Sequence, residues 1–177
     1  MKSVAKFVSS IFLFLDWNYS TIGNGGSMEW ESYDLEKDLT GLAYDFVSEG
    51  PKGRIKKLIR FQPVPSLGTN VYNVALGDLD EANDRLNDSV ISNNGDRLKV
   101  LNTVADAIID FLLYRPTAII LLRATTLART RLYQIGITFF WAKLNSEYEI
   151  WGKIDKDWIP FRAGPNYQEF LLFKKME

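Results

Sequence analysis

Neither cysteine nor histidine occurs among the 177 residues. The first absence removes disulfides, thiol nucleophiles and cysteine-ligated zinc together. The second removes Ser-His-Asp triads, imidazole general bases and histidine-ligated metals. Any proton transfer must then fall to Asp, Glu, Tyr, Lys, a water molecule or the substrate itself. A cysteine-free chain fits a reducing compartment, and a cytoplasmic location is the expectation. A charge excess is also missing. Twenty-one basic residues face 22 acidic ones, for a net charge of −1. No global basic field draws nucleic acid or an anionic membrane, so nucleic acid is disfavoured as a partner. The apolar run Phe7 to Leu15, interrupted by Ser9 and Ser10, is too short to span a bilayer. It has the length of a signal-peptide core, but Asp16-Trp17-Asn18 stands where small residues would mark cleavage. Gly23 to Ser27 has the composition of a flexible linker. We therefore expect residues 1–27 to be a poorly packed leader or extension, and residues 28–177 to form a single α+β domain.

Apolar residues make up 46% of the chain and aromatics 14%, enough for a sizeable core. Leu42 to Val47 and Arg54 to Pro63 read as two strands joined by the turn Ser48-Glu49-Gly50-Pro51-Lys52-Gly53, a hairpin. Asn70 to Leu76 reads as a third strand, and the acidic stretch Gly77 to Asn87 as a solvated loop. Its spacing does not match a calcium-binding loop, and no metal site is expected. Ser92-Asn93-Asn94-Gly95-Asp96-Arg97 opens a first long helix, whose apolar face carries Leu101, Val104, Ala105, Ile108, Phe111 and Leu112. Pro116 disfavours helical geometry at Arg115 and ends it.

Thr117 to Leu122 is continuously apolar, the pattern of a central strand. A strand, a helix and this strand in succession predict two parallel strands joined by a crossover. A second helix from near Thr126 to about Leu144 is apolar nearly all round, so it must be buried on more than one side. Gly136 inside it predicts close packing against a strand. Tyr148 to Ile154, Trp158 to Arg162 and Tyr167 to Phe173 close the chain as strands. The expected architecture is one twisted mixed sheet of about six to seven strands with two main helices, in the order β-β-β-α-β-α-β-β.

Helix amino ends present unpaired N–H groups and attract anions. Two occur here, at Asn94, Gly95 and Arg97 and at Thr125, Thr126 and Arg129. Ligands of parallel strand–helix–strand units bind at the carboxyl ends of the strands, which adds Arg123. Arg123, Thr125, Thr126, Arg129, Asn94, Gly95 and Arg97 are thus the candidate ligand-binding residues. The plainer alternative is that Arg123 and Arg129 only pair with acids such as Asp45 or Glu49. Arg129 and Arg131, two apart on a helix, point to nearly opposite sides. Lys52, Arg54, Lys56, Lys57 and Arg60 form a basic strand, with Arg54, Lys56 and Arg60 on one face and Lys57 on the other, and a solvated sheet face is the expectation. No histidine or cysteine is present to act as a catalytic base or nucleophile, and we assign no catalytic residue.

At Ser48 to Gly53, Ser92 to Arg97, Ala128 to Tyr133 (Ala-Arg-Thr-Arg-Leu-Tyr) and Asn166 to Phe170, the chain resembles a family of small bacterial proteins defined only as a domain of unknown function. The resemblance covers roughly residues 44–175. A weaker likeness is to the GNAT acyltransferases, whose core also runs three strands, helix, strand, helix and two strands. That likeness implies acyl-CoA as cofactor, with its pyrophosphate near Asn93 to Arg97; without it no cofactor is expected. The composite expectation is a binding module for a phosphate- or nucleotide-bearing small molecule. The alternatives are a GNAT-like acyltransferase using acyl-CoA, and a protein- or nucleic-acid-interaction module of a toxin or defence pair. The sequence does not specify an oligomeric state.

Overall fold

Alternation decides the first half of the sheet. In β2 (Ala43–Gly50), Tyr44, Phe46 and Ser48 are buried, whereas Asp45, Val47 and Glu49 between them are not. β2 pairs antiparallel with β3 (Gly53–Pro63) through the tight turn at Pro51 and Lys52, and β3 pairs with β4 (Val71–Asp80). Gly53 supplies the positive φ of 88° that the hairpin needs. The computed structural model describes residues 31–80, 85–87, 92–124 and 126–175, and these belong to one compact unit. The expectations for residues 1–27 and for Thr125 lie outside the described residues.

The stretch read as an acidic loop is partly strand. β4 continues to Asp80, and β5 (Arg85–Asn87) returns antiparallel against it. Pairing of Leu79 with Leu86 outweighs the low strand propensity of the acids around them. A two-residue strand β1 (Glu36–Lys37) also edges β2. These two short strands bring the described sheet to nine, in the order β1-β2-β3-β4-β6-β9-β7-β8 with β5 beside β4.

Helix α1 (Arg97–Tyr114) buries Val104, Ala107, Ile108, Phe111 and Leu112. Phe111 stacks on Phe61, ring centroids 4.0 Å apart, and Tyr72 meets Phe111 edge-on. Pro116 closes the helix as expected, and the Arg115 guanidinium folds back over the Phe111 ring. The chain then enters β6 (Ile119–Arg123), which lies parallel to β4. This pairing covers only Val71 to Asn73 against Ile119 to Leu121. Beyond it the Arg123 N–H turns to the Asn73 side-chain oxygen at 3.4 Å, and β4 runs on without β6.

Helix α2 (Leu127–Leu144) follows, and then β7 (Tyr148–Ile154), β8 (Asp157–Pro160) and β9 (Glu169–Lys174). β9 inserts between β6 and β7, antiparallel to both. The fold is thus α+β, a mixed sheet with two main helices. Gly136 of α2 meets Leu101 of α1 rather than a strand: a Cβ there would stand 3.4 Å from a Leu101 methyl carbon. Among the described residues, no helix is long and apolar enough to cross a membrane.

Candidate functional site

The loop before α1 is fixed by the β2–β3 hairpin. Asn94, only 3% exposed, accepts the Lys52 N–H on Oδ1 at 2.9 Å. Its Nδ2 donates to Ser48 Oγ and to the Gly53 carbonyl, each at 3.0 Å. Gly50 must be glycine, because a Cβ would overlap the Asn94 carbonyl. Gly95, with φ of 82°, turns the chain into the helix beside Pro51. Asp96 occupies the helix N-cap position yet makes no capping bond. Its carboxylate instead accepts the hydroxyls of Ser48 (2.6 Å) and Tyr33 (2.8 Å). Burial, first, pushes the Tyr33 hydroxyl above its ordinary value, with the Asp96 carboxylate adding and the Glu49 N–H opposing, so Tyr33 keeps its proton.

A second cluster lies alongside. Lys57 of β3 is 7% exposed and donates to Asp78 Oδ1 and Ser92 Oγ, both at 2.6 Å. Ser92 Oγ is itself 3.3 Å from Asp78 Oδ1. A serine nucleophile needs a base to take its proton. Here Lys57 donates a hydrogen bond to the serine oxygen and pairs with the Asp78 carboxylate, and the three side chains form one part-buried ion-pair cluster.

These groups border a cleft of about 260 Å³. β4 contributes Leu76, Gly77 and Asp78, from the part that has left β6. The amino-terminal turns of both helices contribute Arg97, Arg129 and Arg131, and Val100, Leu132 and Ile135 give it apolar walls. Lys57 and the three arginines face two acids, Asp78 and Asp96. Both acids are already engaged, by Lys57 and by the Tyr33 and Ser48 hydroxyls. Among the described lining residues, cations outnumber acids, at two helix amino ends whose backbone dipoles have the same sign.

Of the residues singled out in the sequence, Asn94, Arg97 and Arg129 line this cleft. Gly95 shapes the turn next to it. Thr126 caps α2, its hydroxyl and carbonyl taking the Arg129 N–H at 3.3 and 3.1 Å. Arg123 does not join them. Leu122 faces the helices, so Arg123 points to the opposite side of the sheet. There it grips Glu169 with two bonds, of 3.0 and 3.2 Å, rather than Asp45 or Glu49. Asp45 and Glu49 instead pair with Lys56 and Arg54, so these cations of the basic strand are matched across the hairpin. Arg131 reaches the cleft although it sits far round the helix from Arg129, since both side chains are long and leave the first turns of α2.

Sequence reasoning missed Lys57, Asp78 and Ser92. One signal was there: Ile55, Lys57, Ile59 and Phe61 alternate along one face of β3, and a lysine in an inward stripe needs a partner.

The family model of a family of unknown function, DUF6934, matches residues 29–175. The chain belongs to this family. No curated protein and no solved structure matches it. The DUF6934 match takes in every described strand and helix, and with them all the residues that line the cleft.

Proposed function

We propose that the protein binds an anionic, phosphate- or nucleotide-bearing small molecule in this cleft. The observation that supports the reading is the convergence of Arg97, Arg129 and Arg131 with the buried Lys57 on one concave surface at two helix amino ends. A phosphate there would exchange water for charge-assisted bonds, and the apolar walls suit a base or other organic moiety. Calorimetric titration with pyrophosphate and ADP tests this. Arg97→Ala and Arg129→Ala should each weaken binding by about tenfold or more, with thermal unfolding close to wild type. No heat and no melting shift at millimolar ligand would end the proposal.

A second reading, an acyltransferase using acyl-CoA, draws on one feature. The cleft lies at the amino end of α1, where the GNAT likeness implies the pyrophosphate. Against it, α2 continues through Gly136 to Leu144, where those enzymes give way to a strand. Stabilisation by CoA beyond that by ADP would favour this reading. Salt-dependent retention on nucleic acid would favour an interaction module instead.

A further inference from the structure

Behind the cleft lies a second space, of about 50 Å³, between α1, α2 and the sheet. Leu101 and Tyr133 line both, so the two spaces share a wall. Past that wall the lining is apolar side chains, among them Val104, Ile137, Phe140 and Leu172. Gly136 leaves the space: a side chain there would project between Leu101 and Phe140. The apolar surface of α2 is thereby explained on this side, since the face that meets α1 at Leu101 also walls an apolar crevice. Apolar cavities of this kind stay dry and accept apolar ligand groups.

A mouth lined by arginines that shares a wall with an apolar crevice matches one class of molecule. Resting on the anion-binding reading, we propose that the ligand is a soluble amphipath, a phosphate-type anion carrying a short alkyl or acyl chain. The headgroup lies among Arg97, Arg129 and Arg131, and the chain passes Tyr133 to lie between α1 and α2 beside Gly136.

A series of monoalkyl phosphates from methyl to octyl, titrated below their micellar concentrations into the wild-type protein, tests this. Affinity should rise about fourfold per methylene and then level once the crevice is filled. Arg129→Ala should lower the affinity of every member by a common factor, whereas Gly136→Leu should flatten the rise with chain length. If Gly136→Leu does not fold, judged by its melt, the wild-type series decides alone. Equal affinity for all chain lengths would overturn the amphipath while leaving anion binding intact. No binding of any member, pyrophosphate included, would overturn both. Retention on vesicles of phosphatidic acid and phosphatidylcholine with no response to soluble alkyl phosphates would overturn the soluble source.

Discussion

Asn94 commits its whole side chain to the backbone and hydroxyl of the β2–β3 turn, and is almost sealed from water. Removing it strands the Lys52 N–H, the Gly53 carbonyl and Ser48 Oγ. Asn94→Ala should therefore cost about 2 to 4 kcal/mol in denaturant unfolding. Asn94→Asp should be no better, since it sets an anion against two oxygens, Ser48 Oγ and the Gly53 carbonyl, that now each accept a hydrogen bond from the amide. If both variants unfold at the wild-type midpoint, the hairpin does not depend on this residue. Asn94 was selected in the sequence as a ligand-binding turn residue, and its position at the cleft was legible from its place before a helix. Its partners were not, because they lie about forty residues earlier in the chain and no local pattern encodes that pairing. Lys57 was half legible. Its place in an inward stripe could be read from the period of two, but the Asp78 that neutralises it could not.

Among the elements, the two helices and the strands with clear alternation were legible because their periodicity is local. The insertion of β9 between β6 and β7 was not, since strand order is set by which apolar faces meet. That insertion depends on a small residue. Gly152 of β7 lies under the Tyr167 ring, which a Cβ would overlap. Tyr167 in turn is held by its hydroxyl to Arg162, both N–H and carbonyl at 3.1 Å, and packs on Phe161 and Phe170. Gly152→Ala should push the ring from this cluster and cost about 1 to 3 kcal/mol, read as a lowered midpoint of unfolding. An unchanged midpoint would mean that the chain from β8 to β9 yields freely. The same tyrosine belongs to the closing Asn166-to-Phe170 motif, which gives that motif a packing role.

At the scale of the whole molecule, the nearly neutral charge makes individual ion pairs the source of pH dependence. Far along α1 from the cleft, Asp110 receives the Lys37 ammonium and the Tyr44 hydroxyl, the latter at 2.7 Å. Burial alone would raise the Asp110 carboxyl, but these two donors prevail and hold it below its ordinary 3.8. The Tyr44 hydroxyl is pushed well above its usual range, by burial first and by Asp110 next. Asp38 is also held low, chiefly by the Thr40 hydroxyl. Because the folded carboxyls prefer the charged form, their stabilisation is complete above the ordinary carboxylate value and is lost as pH falls through the lower folded one. The melting temperature should accordingly drop below about pH 4. Asp110→Asn should melt lower at pH 7 and show a shallower acid limb, and an identical acid limb would remove this cluster from the account.

The interlock of the hairpin turn with the loop before α1 bears on how the cleft meets a ligand. A binding surface made from helix ends and a loop would ordinarily have to be ordered on binding, at a cost in entropy. Here the loop is already pinned by Asn94, Ser48 and Asp96, and one wall is a buried lysine held by two partners. The mouth cannot loosen without breaking the β2–β3 turn. It is preorganised by the same bonds that close the hairpin, so a ligand of the proposed kind would find Lys57 and the loop before α1 already in place.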